Sequence, residues 1–124
     1  MVRKDIENKQ DIELLVRRFY ESLLTEDSMK PVFANTNLEA HMPHMIAFWS
    51  FVLLDEEGYK TNVFDKHVPL PIKEEHFATW LHHFEKTVDT LFEGEKAELA
   101  KQRAHSVAYT FKSKLGQMGK FKKP

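Results

Sequence analysis

The sequence predicts an all-α fold, and three observations carry that expectation. Apolar residues recur at intervals of three and four rather than two, no run alternates as a half-buried strand would, and helix-breaking residues gather between the periodic stretches. At 124 residues, 42% of them hydrophobic, the chain is expected to form one domain over 1–124, with a real core and no room for a second. Its ends, 1–10 and 117–124, are expected to fray.

Taken in order, the first helix is predicted from about Asp11 to Leu24, where Ile12, Leu15, Val16, Phe19 and Leu23 form one stripe. From Glu26 to Phe33, Asp27 or Ser28 offers a cap and Pro31 interrupts, so a tight helical turn closing on Val32 and Phe33 is expected. Asn35, Thr36 and Asn37 mark a loop. From Leu38 to Leu54 the set Met42, Met45, Phe48, Trp49 and Val52 restores the period, with Pro43 predicting an irregular start or a kink. Between Asp55 and Pro71 the period fails, and the expectation is a loop with at most one short helix carrying His67. Lys73 to Phe92 reads as a helix with Phe77, Trp80, Leu81, Phe84, Val88 and Leu91 on one face and Gly94 as its stop. A last helix runs from Glu95 to about Met118 through Leu99, Arg103, Ala104, Val107, Phe111 and Leu115.

Composition narrows the chemistry. Lys and Arg number 18 against 19 Asp and Glu, so no positive field draws in nucleic acid or anionic lipid. No run is long and apolar enough to cross a membrane, and the charged N-terminus is unlike a signal peptide, so a cytoplasmic location is expected. The absence of cysteine excludes disulfides, thiolate metal sites, iron–sulfur clusters and thioether-linked haem. Ten Phe and seven His are many for this length, and all the histidines lie between His41 and His105. An aromatic pocket with imidazoles nearby suits a planar, apolar, iron-bearing cofactor, although aromatic cores also form without one.

Several segments in order resemble a known family: FYESLL at 19–24, PVF at 31–33, HMPHMIAFWSFVLL at 41–54, Tyr59, KHVPLP at 66–71, HFATWLHHFEKTV at 76–88 and QRAHSVAYTF at 102–111. Together they are similar to the truncated haemoglobins, specifically the third group of these bacterial globin-like proteins. The chain also has no Gly-Gly pair, in keeping with a group that lacks the paired glycines of the others. The resemblance implies a two-over-two α-helical sandwich around haem b. It further implies that His67 is the proximal iron ligand, and that Tyr20, His41 and Trp80 form the distal ligand-binding side. Phe33, Met45, Phe48, Trp49 and Phe77 would contact the haem. His44, one helical turn from His41, competes for the same face. Lys66 and Arg103 are candidates to reach the propionates. His76, His82, His83 and His105 are read as structural or exposed.

Each position has a physical requirement behind it. Haem iron takes a neutral imidazole nitrogen on one axial side, and a ligating imidazole normally donates its other N–H to a carbonyl or carboxylate. A hydroxyl or indole N–H aimed at a bound diatomic gas gains a polarised hydrogen bond worth roughly 1.5–3 kcal/mol, which slows release by about tenfold to a hundredfold. Tyr20 and Trp80 can both donate, yet both also lie on apolar stripes where a buried ring simply packs.

The expected function is therefore binding of dioxygen, nitric oxide and carbon monoxide at a His-ligated haem iron with a polar distal pocket. Slow release suits nitric oxide and dioxygen chemistry or sensing better than bulk transport. A nitric oxide dioxygenase or peroxidase-like activity would need a separate reductase, since no flavin or nicotinamide motif is present. Two rival classes stand beside this reading. A non-haem di-iron bundle wants two inward Glu-x-x-His pairs, whereas Glu39 precedes Met42 and Glu85 precedes Val88. A cofactor-free helical interaction module would use the same aromatics only as core.

Overall fold

The computed structural model of the chain describes residues 3–34, 36–55 and 73–117. Its elements are α1 (Lys9–Leu23), a 3-10 turn (Pro31–Phe33), α2 (Leu38–Leu54), α3 (His76–Leu91) and α4 (Glu95–Gln117), with no strand among the described residues. No described helix is long and apolar enough to cross a membrane.

Caps explain where the helices begin and end. Extended Asn8 accepts the Asp11 N–H ahead of α1, and Asn37 accepts the Ala40 N–H ahead of α2, each satisfying a first-turn donor. Asp11, itself buried, takes Lys4 Nζ at 2.7 Å and the Glu7 N–H at 2.9 Å. Burial alone would raise its pKa, but these donors win and hold the carboxyl below the usual range. Helix α2 ends at Asp55 in the left-handed region, φ 56°. Pro43 lies inside α2 without ending it.

Helix α3 starts three residues later than the sequence predicts. Lys73 to Glu75 instead form a turn, because the His76 N–H bonds the Lys73 carbonyl and the Lys73 N–H donates back to His76 Nδ1 at 2.9 Å. The chain then passes through extended, buried Phe92 and Gly94 into α4.

The start of α4 is capped from a distance. Asp5 accepts the Lys96 and Ala97 N–H groups, both at 2.9 Å, and the Glu93 N–H bonds the Lys4 carbonyl. Gly94 is required here, since its φ is +134° and a Cβ would lie 2.6 Å from Asp5 Cγ. Although burial opposes it, those backbone donors set the Asp5 pKa below its ordinary value of 3.8. The depressed pKa belongs to the folded state, so the cap stabilises at neutral pH and fades as pH falls below the unfolded value through the folded one. Asp5→Ala is expected to cost about 1–2 kcal/mol at pH 7. Urea titrations should show the gap between native and variant closing towards pH 3, and a gap independent of pH would refute the charged cap.

Helices α1 and α2 pack together, α3 and α4 pack together, and α1 meets α3 while α2 meets α4, which makes two layers of two. The α1 stripe reads as expected, with Ile12, Leu15, Val16, Phe19 and Leu23 all buried. On α4 the buried line is Ala97, Ala100, Ala104, Ala108 and Leu115, so small residues let its backbone approach the neighbouring layer. Arg103, expected on that inner stripe, is exposed, because the alanine line takes the contact and turns it outward. At the centre Phe84, 1% exposed, stacks with Trp49 and with Trp80 at centroid distances of 4.8 and 5.4 Å and meets Phe19 in a T-shaped contact at 5.4 Å.

Candidate functional site

Between the two layers lies an open apolar pocket walled by residues of all four described helices. Helix α1 gives it Tyr20, and the segment before α2 gives Met29, Val32 and Phe33. Met45, Phe48 and Trp49 come from α2, His76, Phe77 and Trp80 from α3, and Val107, Ala108 and Phe111 from α4.

Helical spacing explains this convergence. On α2 the line Met42, Ile46, Trp49 and Leu53 is buried in the core, while Met45 and Phe48, on an adjacent line, are partly buried and line the pocket. On α3 His76 and Trp80 are one turn apart on one face. Deeper on α3, Phe84 stacks on Trp80 and joins the pocket wall to the core.

Tyr20 is the most informative wall residue. Its ring is buried, with the edge of Phe33 at 5.9 Å, and its hydroxyl donates to the Met45 thioether Sδ at 2.6 Å. Burial raises the phenol pKa well above its ordinary value, so Tyr20 keeps its proton throughout the working pH range. A thioether is a weak acceptor, so this buried donor is satisfied poorly and would exchange readily for a better partner. Trp80 is partly buried, and its indole N–H has no hydrogen-bond partner among the described residues. The pocket thus combines aromatic walls with the Tyr20 hydroxyl and the Trp80 indole N–H.

Of the other residues singled out in the sequence, Phe33, Met45, Phe48, Trp49 and Phe77 all line the pocket. His41, in the first turn of α2, is partly exposed and is not among the wall residues, and His44 is exposed. Arg103 is exposed on α4 and is not among the wall residues. His67, Lys66 and Tyr59 lie outside the described residues.

The sequence reading missed one titratable group. His76, taken as structural or exposed, is buried in the pocket wall. Its position one turn before Trp80 was the available signal, and the turn at Lys73 that fixes the ring was not legible. His83 is structural. It is buried, with Nδ1 2.7 Å from the Ser22 hydroxyl and Nε2 3.0 Å from Glu26, and it ties the end of α1 to α3. His82 is exposed, and exposed His105 meets Glu85 at 2.6 Å.

The walls fit haem by their chemistry. A flat apolar ring system needs aromatic and aliphatic surface, a mouth for its charged edge, and few polar groups inside, and the pocket has each of these.

Comparisons with known proteins agree with this architecture. The family model of the bacterial-like globins matches residues 4–114. The group 3 truncated haemoglobin ctb of Campylobacter jejuni is 29% identical over 119 residues, covering 90% of this chain and 94% of that protein. The crystal structure of a group III truncated haemoglobin from Campylobacter jejuni superposes with a TM-score of 0.81 at 28% identity, covering 92% of this chain and 95% of that one. The resemblance carried by the sequence motifs and the two-over-two fold it implies are both borne out. The chain belongs to the bacterial-like globin family.

Proposed function

We propose that this globin holds haem b in the pocket and uses Tyr20 and Trp80 to retain a diatomic gas, dioxygen or nitric oxide, with carbon monoxide as a competing ligand. The observation that carries the reading is the protonated Tyr20 hydroxyl, buried in an apolar pocket with only a thioether to bond. When bound, haem would supply an iron centre able to take a protein imidazole and a diatomic gas.

His67 fills the proximal role in this proposal. The one histidine in the described walls is unsuited to it, because His76 Nδ1 accepts the Lys73 N–H. The neutral ring then carries its hydrogen on Nε2, where an iron ligand would need a free lone pair. The Tyr20 hydroxyl and the Trp80 indole N–H can each donate, so they favour a ligand that gains electron density on binding. His41, partly exposed at the start of α2, is placed as a gate residue that need not touch the ligand at rest.

Donors that hold the ligand favour nitric oxide and dioxygen chemistry or sensing over bulk delivery. No flavin- or nicotinamide-binding motif is present in the sequence, so turnover that consumes electrons would draw them from a separate reductase. The test is the ultraviolet-visible spectrum of the purified chain after haem addition, ferric and then reduced with carbon monoxide, for native protein and His67→Gly. The native protein is expected to show a sharp Soret band that shifts with carbon monoxide, and the variant to lose or weaken it. No band in folded native protein would refute haem binding, and an unaltered band in the variant would refute the proximal assignment. Sustained nitric oxide consumption without any reductant would refute the need for a reductase.

A further inference from the structure

We propose that Met45 is a site of oxidative modification: a peroxide converts its thioether to the sulfoxide, which draws the Tyr20 hydroxyl away from the gas ligand. The effect on the gas rests on the haem reading above; the oxidation of Met45 itself does not.

Exposure singles Met45 out. Of the three methionines among the described residues, Met29 and Met42 are 2% and 5% exposed, whereas Met45 is partly exposed. Met29 shares the pocket wall, but Met45 combines a place in that open wall with access to solvent. A small peroxide therefore meets the Met45 side chain before the other two, and oxidation follows exposure. The step balances without a further reagent. A sulfur lone pair attacks one peroxide oxygen, the O–O bond breaks and an S–O bond forms. Sulfur loses two electrons, and the hydrogen on the transferred oxygen ends on the departing one, which leaves as water.

What makes the product consequential is the neighbour of the sulfur. The Tyr20 hydroxyl donates to Met45 Sδ at 2.6 Å and has no other hydrogen-bond partner among the described residues. This bond occupies one lone pair of the thioether and leaves the second for the oxidant. A thioether accepts weakly, whereas a sulfoxide oxygen carries much negative charge and accepts strongly. The new oxygen is bonded to an atom already beside the hydroxyl, and the flexible methionine side chain lets it turn towards the donor. Aromatic and aliphatic walls surround the pair, so the polar sulfoxide needs the Tyr20 hydroxyl to offset its burial. Burial keeps Tyr20 protonated, so it is a donor whichever form Met45 takes. Oxidation thus exchanges a weak competitor for the Tyr20 proton for a strong one.

The experiment treats the holoprotein with a few equivalents of hydrogen peroxide, in the ferrous carbon monoxide form so that the iron is occupied, and ends the reaction with catalase. Native protein, Met45→Leu and Tyr20→Phe are each digested for peptide mass spectrometry, and each is measured for dioxygen release after gas exchange. Met45 is expected to gain one oxygen at least about tenfold faster than Met29 or Met42. Oxidised native protein should release dioxygen roughly tenfold faster than untreated, the equivalent of one lost hydrogen bond. Peroxide should leave the release rate of Met45→Leu unchanged. In Tyr20→Phe, Met45 should still be oxidised but release should not change, because the hydroxyl that couples the two is gone. Oxidation of Met29 or Met42 as fast as Met45 would overturn the proposal, as would an unchanged release rate in native protein whose Met45 is oxidised. An equal acceleration in Tyr20→Phe would also overturn it, by making the effect one of bulk in the pocket. Failure of native protein to take up haem would show instead as a missing Soret band; it would defeat the haem reading and the effect on the gas with it, while selective Met45 oxidation in that haem-free chain would still support the modification site.

Discussion

Phe84→Ala is expected to lower the free energy of unfolding by about 3–5 kcal/mol, a large share of the roughly 5–15 kcal/mol that holds a domain of this size together. The ring is 1% exposed, stacks with the indoles of Trp49 and Trp80, and meets Phe19 in a T-shaped contact. Those walls belong to three different helices, so none can move into the vacated volume without breaking other contacts. A rigid cavity costs more than the transfer of the lost atoms alone. Urea titration of the haem-free chain by far-ultraviolet circular dichroism measures the loss. Tyr109→Ala, at a residue 74% exposed, serves as the control and should change stability by no more than about 0.5 kcal/mol. A Phe84→Ala loss below about 1 kcal/mol would mean that this stack is not the centre of the core. Because Trp80 is both a stacking partner and a pocket wall, the same variant should also loosen the site.

The stack shows why part of this structure was legible in the sequence. Where a helix buries one apolar line, periodicity finds it: every residue of the predicted α1 stripe is buried, and α2 runs over the predicted Leu38–Leu54. Periodicity fails where a helix has two inner faces. Apolar residues surround much of α2, and the pattern alone does not separate the core line through Ile46 and Leu53 from the pocket line through Met45 and Phe48. It also underrates small residues, as on α4, where alanines take the tight contact and leave Val107 and Phe111 to the pocket.

Buried polar groups were harder still to foresee. His83 and Thr87 are buried on α3 because Ser22, Glu26 and a backbone carbonyl satisfy them, and those partners are either distant in sequence or on the backbone. The pocket residues Tyr20, Phe33 and Trp80 came from the motif resemblance, which carries three-dimensional information that composition lacks. His76 belongs to none of those motif roles, and only the Lys73 turn reveals its ring as a fixed donor in the wall.

Tyr20→Phe in the haem-loaded protein is expected to speed dioxygen release by about tenfold to a hundredfold, the equivalent of a hydrogen bond of roughly 1.5–3 kcal/mol. The substitution removes one oxygen atom and leaves the ring packed on Phe19 and Phe33, so the change reads the donor and little else. Trp80→Phe should also speed release, with a separate loss of stability from its stack on Phe84. Met45 supplies a test of opposite sign. Its thioether is the acceptor that occupies the Tyr20 hydroxyl, so any ligand must first displace that bond. Met45→Leu keeps similar volume without the sulfur, and leaves Tyr20 free to bond only what enters the pocket. Dioxygen release from Met45→Leu should therefore be slower than from native protein, and in the Tyr20→Phe background the same substitution should have no effect. Stopped-flow release rates for the four proteins, native, each single variant and the double variant, close the cycle. If Tyr20→Phe and Trp80→Phe both release dioxygen at the native rate, the distal-donor reading fails. If Met45→Leu acts equally with and without the Tyr20 hydroxyl, its effect is one of shape, and the thioether does not compete for the proton.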